Sequence, residues 1–378
     1  MKFLNSEANL QELDELDVWL GSKENEQIFN HFVRTEYITA LGMAEYDIEK
    51  AKQAIKRKLE NRKRKKRITV YKRIAVAASI SLLLGLGFLN FYKEDRPGEI
   101  PNMAPTVIKA GSNKAILTLD NGNQVALEKG KKYKAGKVKS NGEELVYDLA
   151  GDTYGSERAV KYNYLTIPKG GQFFVQLSDS TEVWLNSDSK LKYPVKFRKG
   201  KTRQVELVYG EAYFKVSPST KHNGAEFHVL TKYQEVSVLG TEFNVKAYNG
   251  EDEVSTTLVE GKVKIQKGTI SEFLRPNQQS KTSSTSDFIE IKEVDLSQVI
   301  SWKQGLFAFN EESLGEIMTQ LARWYDVNVF FKSEQQKKFV FTGIVERTES
   351  IDKILNLIEA TSAGHIKFEI KGKTIIIK

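Results

Sequence analysis

The clearest structural signal in the sequence is the alternating stretch VQLSDSTEVWL, residues 175–185. Apolar residues recur at every second position on both sides of a polar centre, which is the period of a strand with one buried face. The stretch LTLDNGNQVAL, residues 117–127, repeats this design around Asn121 and Gly122, a pair that favours a tight turn. The two stretches therefore predict two β-hairpins of similar construction.

More alternating stretches follow the second hairpin. They read VELVYGEAYFKV (205–216), EFHVLT (226–231), EVSVLGTEFNVKAY (235–248) and EVSTTLVEGKVKIQKG (253–268). Short strands at regular spacing, with turns between them, are typical of an all-β sandwich, barrel or stack. We predict an all-β domain over residues 111–295.

The pattern changes after residue 295. Strands are predicted at 306–309, 327–331, 339–343, 366–370 and 374–378, with one helix at about 312–325 and a second that carries Ile351, Ile354, Leu355 and Ile358. The element order is then βαββαββ. This order predicts a small two-layer α/β domain over residues 296–378.

The first sixty residues have a helical period. Leucines and Trp19 form one apolar stripe over 10–20, a second includes Phe29 and Phe32, and a third runs from Ile48 to Leu59. Spacings of three and four residues are typical of amphipathic helices. Residues 1–60 are predicted to form a small all-α bundle, and so short a chain buries only a small core.

A basic stretch and an apolar stretch separate these two regions. Residues 56–73 contain eleven Lys or Arg and one Glu, a local net charge of +10, so the remaining chain sums to 8 − 10 = −2. Residues 74–92 carry no charge, and as a helix they would span about 28 Å, close to the thickness of a bilayer. A basic collar at 61–73 and one transmembrane helix at 74–92 are predicted, followed by a linker at 93–110.

The flanking charges predict the orientation of this span. The basic residues lie on its N-terminal side, whereas the charges of KEDR at 93–96 cancel. The positive-inside rule then puts the N-terminus in the cytoplasm and the C-terminal region in the periplasm, with the chain in the inner membrane. The predicted fold class is thus multidomain, with an all-α cytoplasmic bundle, one transmembrane helix, an all-β domain and a two-layer α/β domain.

Several stretches together resemble one family. They are IPKGGQFFVQLSDSTEVWLNSDSKLKYP (167–194), VELVYGEAYFKV (205–216), VLGTEFNVKAY (238–248) and TLVEGKVKI (257–265), joined by residues 14–32 and 301–329. The chain resembles a FecR-type anti-sigma factor, in the long form whose C-terminal domain is similar to the short N-terminal domain of secretins and TonB-dependent receptors. Asn277 stands where the family pattern has glycine.

The resemblance implies a mechanism and partners. The cytoplasmic helices would hold an extracytoplasmic-function sigma factor, with Trp19, Phe29 and Phe32 as anchors, because large aromatic side chains dominate interfaces. The periplasmic region would receive a signal from the signalling domain of a ligand-loaded TonB-dependent receptor. Envelope proteases would then release the N-terminal segment with its sigma factor.

Two further sites are candidates. Members of the family self-process at a Gly-Thr bond, and Gly240-Thr241 in VLGTEFNV is such a pair; the alternative is that this glycine serves a strand kink. For the receptor, Thr374, Ile375, Ile376 and Ile377, or the strand 327–331, could add a partner strand if either lies at a sheet edge, whereas an inner position would prevent this.

Other classes of function are weaker. Cysteine is absent, which excludes thiolate chemistry, and His222 and His228 lack a third metal ligand in the sequence. No metal, cofactor or conventional enzyme activity is predicted, and the acidic N-terminal region argues against direct binding to nucleic acid. One alternative is a membrane-tethered glycan-binding or glycan-processing protein, which predicts exposed aromatic side chains or clustered carboxylates in a groove. A membrane-bound nucleic-acid regulator that uses the basic collar is the third.

Overall fold

The computed structural model describes residues 108–135, 138–147 and 160–378. All of them belong to the second of the two units into which the chain divides, Asn102–Lys378. The predictions for residues 1–60, 61–73 and 74–92, and for most of the linker, lie outside the described residues.

Residues 112–293 form a β-domain, so named below. Its strands are β1 (Ser112–Thr118), β2 (Gln124–Glu128), β3 (Tyr133–Ala135), β4 (Val138–Ser140), β5 (Glu144–Tyr147), β6 (Tyr162–Ile167), β7 (Gly171–Gln176), β8 (Glu182–Leu185), β9 (Ser189–Pro194), β10 (Arg203–Lys215), β11 (Phe227–Leu230), β12 (Glu235–Val238), β13 (Glu242–Ala247), β14 (Glu253–Glu260), β15 (Val263–Lys267), β16 (Ile270–Leu274), β17 (Gln278–Ser283) and β18 (Glu290–Glu293). A short 3₁₀ helix covers Ser219–His222.

Two runs of paired strands share β10. The first run has the order β2-β1-β6-β9-β10-β11-β12-β15-β16, and the second has the order β3-β4-β5-β7-β8-β10-β13-β14-β17-β18. Both predicted hairpins are confirmed, since Leu117 pairs with Val125 and Val175 pairs with Val183. Alternate side chains from both runs fill a single hydrophobic core.

The long strand β10 passes from one run to the other at Gly210. Its first half pairs with β9 and β11, and its second half pairs with β8 and β13. Gly210 has a φ of 101°, and a Cβ built on it would lie 2.3 Å from the Cα atom of Ser189. The corner therefore requires glycine, for conformation and for space.

The C-terminal domain, residues 306–377, follows a short linker. Its elements are β19 (Leu306–Ser313), α2 (Leu314–Tyr325), β20 (Asn328–Phe331), β21 (Val340–Glu346), α3 (Ile351–Thr361), β22 (Phe368–Lys371) and β23 (Thr374–Ile377), and the linker contains helix α1 (Leu296–Val299). Helix α2 begins with a capping box between Ser313 and Glu316 and buries its apolar face. Both helices and the strands enclose a second hydrophobic core.

The predicted fold class is wrong. The described residues are mostly β, with 49% in strands and 16% in helices, and they do not show an all-α bundle. The predicted two-layer α/β domain is also not shown, because its strands separate into a pair, β19-β21, and a triplet, β20-β23-β22. The local element order says nothing about which strands pair, since pairing depends on contacts distant in sequence.

The membrane prediction finds no counterpart in the described residues. None of the helices in the ranges 108–135, 138–147 and 160–378 is both long enough and apolar enough to cross a bilayer. The predicted transmembrane helix, residues 74–92, lies outside those ranges.

Candidate functional site: the interdomain junction and the Gly240–Thr241 turn

A cleft of about 990 Å³ lies where the β-domain meets the C-terminal domain. Residues from both domains line it, and they are mostly polar or charged; they include Asn186, Glu211, Asn244, Tyr248, Glu312, Arg323 and Arg347. Concave sites between domains are common places for binding and for regulation. The buried polar groups of this cleft connect the two domains.

Glu211 is the acidic centre of the junction. Strand β10 carries it, and only 9% of the residue is exposed. Its carboxylate accepts hydrogen bonds from the side-chain amides of Asn186 (2.8 Å) and Asn244 (3.0 Å) and, at 3.4 Å, from the hydroxyl of Tyr248. A buried carboxylate needs such donors, because desolvation would otherwise oppose its charge.

Arg347 is the basic centre and comes from the C-terminal domain, just after β21. It is 3% exposed, and its guanidinium donates to the Asn186 side-chain oxygen (2.9 Å), the Trp302 carbonyl (3.1 Å) and the Gln172 side-chain oxygen (3.3 Å). The charges of Arg347 and Glu211 are therefore bridged by the amide of Asn186. Burial lowers the pKa of Arg347 to about 10, so the group stays charged at neutral pH.

Aromatic rings hold the Arg347 side chain in this position. Its guanidinium carbon lies 3.6 Å from the centre of the Trp324 ring and 5.4 Å from that of Phe307. The indole N–H of Trp324 donates to the Arg347 carbonyl at 2.8 Å. The planar guanidinium thus stacks on one domain while it donates to the other, a geometry that lysine could not reproduce.

A second contact joins the domains beside the first. Arg323 on α2 lies 3.6 Å from the centre of the Tyr248 ring and forms an ion pair of 2.8 Å with Glu251. Burial, with Glu211 nearby, raises the pKa of Tyr248 well above its usual value, so its hydroxyl remains a donor. The two arginines therefore fix the C-terminal domain to β7, to the residue after β8 and to the loop after β13.

The linker between the domains packs on the outer face of the β-domain. Trp302 donates from its indole N–H to the Asn244 side-chain oxygen at 3.3 Å. Lys303 lies over the rings of Trp184 and Tyr213, at 4.1 and 4.3 Å from their centres. Because Lys303 covers the rings of Trp184 and Tyr213, these two rings do not offer an open surface on which a sugar could stack. The glycan-binding alternative would need such a surface.

Glu312 is the carboxyl group of the cleft with the most altered acidity. Burial, and then the charge of Glu316, raise its pKa to about 7. Its side chain accepts a hydrogen bond from Gln320 and lies at the register shift of β19. The folded state thus binds a proton at Glu312 more tightly than the unfolded chain does.

This raised pKa predicts a pH dependence of stability. The contribution of Glu312 to the free energy of unfolding is fully present below pH 4.5 and falls as the pH rises towards 7. Above the folded-state pKa it no longer changes. Allowing for partial solvent screening, the loss is about 1–3 kcal/mol. The free energy of unfolding is measured at pH 5 and at pH 8 by denaturant unfolding, followed by tryptophan fluorescence. We expect Glu312→Gln to remove this part of the difference between the two values. The neighbouring control Glu311→Gln should keep it, and equal profiles for wild type and Glu312→Gln would contradict the assignment.

The predicted cleavage pair, Gly240 and Thr241, lies in a tight turn before β13. Gly240 has a φ of 152°, and a Cβ built on it would lie 2.9 Å from the Cα atom of Pro218. Thr241 is 5% exposed, and its hydroxyl donates to the Lys262 carbonyl at 3.1 Å. The position has the special backbone and close packing that the self-processing hypothesis and the strand-kink alternative both require.

The neighbouring segment closes this turn from the other side. The backbone N–H of Ser219 donates to the Leu239 carbonyl at 2.5 Å, and that of Val216 donates to the Thr241 carbonyl at 3.0 Å. Beneath it, the buried ion pair of Arg203 and Asp179, at 2.8 Å, lets Arg203 also donate to the Ser217 carbonyl at 2.9 Å. The turn therefore rests on a buried charged group.

The two candidate receptor strands have different positions. Thr374, Ile375, Ile376 and Ile377 form β23, the inner strand of its sheet, paired with β20 on one side and β22 on the other. Strand addition to residues 374–377 therefore has no free edge. The second candidate, β20, lies at an edge of the sheet, and its Phe330 is 58% exposed. Trp19, Phe29 and Phe32, the candidate sigma-binding residues, lie outside the described residues.

The sequence did not reveal the interdomain network. Asn186 and Glu211 lie within stretches that carried the family resemblance, but their types and spacing gave no sign that they face one another. Arg347 is separated from Asn186 by 161 residues. Only the strand pairing brings these side chains together. The turn residue Asn277 adopts a φ of 69°, so asparagine maintains the left-handed conformation that glycine would supply.

Comparisons with known proteins agree with this architecture. Residues 163–264 match the family described as FecR protein, and residues 306–377 match that described as FecR, C-terminal. Two crystal structures, at 1.65 and 2.50 Å resolution, of a protein from Parabacteroides distasonis ATCC 8503, provisionally named an anti-sigma factor, are similar. Each has a TM-score of 0.51 and 28% identity and covers 57% of this chain and 98% of its own. No curated protein matches the chain.

The fold and the junction define a class of protein in which a β-domain is joined to a small C-terminal domain by buried polar contacts. The two family matches lie one in each of these domains. Residues 163–264 and 306–377 therefore belong to the FecR family, and the resemblance seen in the sequence is confirmed.

Proposed function

We propose that this chain is an anti-sigma factor that holds an extracytoplasmic-function sigma factor and releases it in response to a signal from outside the cytoplasm. The family membership supports the anti-sigma role. The single observation that carries the proposal is the likeness to the Parabacteroides distasonis protein, whose length is covered to 98%. Both domains described above are therefore parts of one module and not separate additions.

The sigma factor binds residues 1–60 in this proposal. That region carries the acidic charge and the apolar stripes described for the sequence, and it is too short to bury all of those stripes. Trp19, Phe29 and Phe32 are the proposed anchors. The test is co-purification of the cognate sigma factor with the full-length chain, designed in detail in the Discussion.

The proposed location is the inner membrane, with the N-terminus in the cytoplasm and the C-terminal region in the periplasm. The net charge of +10 over residues 56–73 and the uncharged residues 74–92 support it. A reporter that is active only in the periplasm is expected to work when fused after Lys378 and to fail when fused before Lys2. Activity of the N-terminal fusion, with the C-terminal fusion inactive, would reverse the topology and contradict the mechanism.

The signal enters through the C-terminal domain, which docks the signalling domain of a ligand-loaded TonB-dependent receptor. The edge position of β20 and the exposure of Phe330 support docking by strand addition, because an unpaired edge supplies backbone donors and acceptors. The inner strand β23 serves as its support. Phe330 would then provide specificity beside the main-chain pairing.

Release of the sigma factor follows proteolysis, in which processing at Gly240-Thr241 is the first candidate step. The Thr241 hydroxyl oxygen attacks the Gly240 carbonyl carbon, the C–N bond breaks, and the nitrogen takes up the hydroxyl proton, which leaves an ester. Water then hydrolyses the ester, which gives a carboxylate on Gly240 and restores the Thr241 hydroxyl, and Thr241 keeps the free amine formed in the first step. Envelope proteases complete the release. Because the Thr241 hydroxyl is bound to Lys262 in the described conformation, the reaction requires this hydrogen bond to open.

A further inference from the structure

The interdomain network reaches the strand that begins at the Gly240–Thr241 turn. Asn244, which donates to Glu211 and accepts from Trp302, lies on β13 three residues after Thr241. Tyr248, the other Glu211 partner on this segment, directly follows β13. The linker residue Trp302 therefore contacts β13, and Arg323 of the C-terminal domain contacts the residue that follows this strand.

Strand β13 is also tied to β10 along its whole length. Ala247 pairs with Gly210, Asn244 pairs with Tyr213, and Glu242 pairs with Lys215. The Tyr213 hydroxyl donates to the Glu242 carboxylate at 2.5 Å. A displacement of β13 at the Asn244 end would therefore change the register at the Thr241 end, since a paired strand moves as one unit.

Arg347 supplies the charge that makes this arrangement favourable. Glu211 is buried, and the amide of Asn186 links it to the positive charge of Arg347. Withdrawal of Arg347 would leave the buried carboxylate with its hydrogen-bond donors but without this positive charge, which is costly. The β10–β13 pair would then be the first part of the β-domain to loosen, because it carries both Glu211 and Asn244.

We propose that Arg347 is a positioning residue that couples the C-terminal domain to the Gly240–Thr241 turn. With Arg347 in its pocket, β13 keeps its register, and the Thr241 hydroxyl stays bound to the Lys262 carbonyl. A partner that docks on the C-terminal domain and withdraws Arg347 frees the turn for processing. This last step rests on the proposed function, whereas the coupling itself is a property of the chain alone.

The coupling can be measured without any partner. Amide hydrogen exchange is followed by mass spectrometry on the full-length protein in detergent, in wild type and in Arg347→Met, which keeps an apolar stem between the rings but removes the charge and all the donors. We expect exchange of peptides over 239–247 to rise at least tenfold. Exchange over 368–377, in the sheet of β22 and β23, should change less than threefold.

A matched control tests whether any weakening of the C-terminal domain has the same result. Tyr325→Phe removes the partly buried hydrogen bond from the Tyr325 hydroxyl to the Glu349 carbonyl, 2.7 Å long, and leaves Arg347 in place. It should leave exchange over 239–247 at the wild-type rate. An equal rise in Tyr325→Phe and Arg347→Met, or no rise in folded Arg347→Met, would overturn the coupling.

A conservative variant covers the case in which Arg347→Met does not fold. Arg347→Lys keeps the charge and loses the planar fork, so it should raise exchange over 239–247 by a smaller factor, about threefold. If Arg347→Met is unfolded, this rise becomes the deciding result, and its absence overturns the proposal. Because exchange needs neither sigma factor, receptor nor cleavage, failure of the coupling and failure of the proposed function are distinguishable.

Discussion

Replacement of Asp179 by alanine is expected to destabilise the β-domain by about 3–5 kcal/mol, the usual effect of removing one partner of a buried ion pair. Both side chains of the Asp179–Arg203 pair are 2% exposed. The variant leaves the Arg203 guanidinium without its counter-charge, although its hydrogen bonds to the Ser217 and Ala225 carbonyls remain. Burial already lowers the pKa of Arg203, and Asp179 opposes that effect.

The measurement is thermal unfolding of the full-length chain, in which a loss of this size lowers Tm by roughly 10 °C. Glu253→Ala is the control, because it removes a partner of Lys281 from a largely exposed pair and should cost less than about 1 kcal/mol. Arg203→Met, added to Asp179→Ala, should recover part of the loss by removing the uncompensated charge. A cost for Asp179→Ala as small as that of Glu253→Ala would contradict this role.

Loss of the Asp179–Arg203 ion pair is also expected to change the structure near the Gly240–Thr241 turn. Arg203 holds the segment that closes over Gly240, through the Ser217 carbonyl, and Asp179 accepts from the backbone N–H and the hydroxyl of Thr181. The backbone N–H of Ser217 in turn donates to the Thr181 hydroxyl. The same variant is therefore expected to expose the Gly240–Thr241 turn as well as to lower Tm.

Local patterns in the sequence are sufficient to predict the two β-hairpins. The alternation around 117–127 and 175–185 predicted both, because a two-residue period and a turn signal specify a strand, a turn and a returning strand. The family resemblance rested on such stretches, and it holds. The alternating stretch at 205–216 was likewise recognised as a strand, now part of β10.

The passage of β10 between two sets of partners could not be predicted. Gly210 in VELVYGEAYFKV reads as an ordinary glycine in a strand, yet its conformation and its contact with Ser189 turn β10 from one run to the other. The parallel pairing of β10 with β11 is equally hidden, since adjacent strands in sequence more often pair in antiparallel fashion. Both features follow from contacts that no local period encodes.

The C-terminal domain shows the same limit. Its strands were recognised, but the division into β19-β21 and β20-β23-β22 decides that β23 is an inner strand and β20 an edge. A β-branched stretch such as TIIIK is equally compatible with either place, because both positions bury one face. The choice between the two candidate receptor strands therefore needed the structure.

The candidate site depended most on distant contacts. Asn186, Glu211 and Arg347 are each unremarkable in the sequence, and burial alone gives them their significance. Their network joins two domains through one amide, and it was invisible to a search for catalytic or metal-binding spacing. By contrast, Gly240 and Thr241 were identified from sequence because the family resemblance pointed to a dipeptide.

Complete loss of sigma-factor binding is the second large effect that we expect. Three aromatic anchors in a region of sixty residues would provide most of an interface, and a few such residues usually carry most of the binding free energy. Trp19→Ala, Phe29→Ala and Phe32→Ala, combined in the full-length chain, are therefore expected to abolish retention. Tyr325→Phe, which lies in the other compact unit and leaves Arg347 in place, serves as a matched control and should retain the sigma factor in the absence of receptor.

Co-purification of the full-length chain, extracted in detergent, with its cognate sigma factor tests whether this protein is an anti-sigma factor. Wild type and Tyr325→Phe are expected to retain one sigma factor per chain, and the triple alanine variant, with wild-type unfolding of the β-domain, is expected to retain none. If the wild-type chain, intact and folded, retains no sigma factor, the account is contradicted.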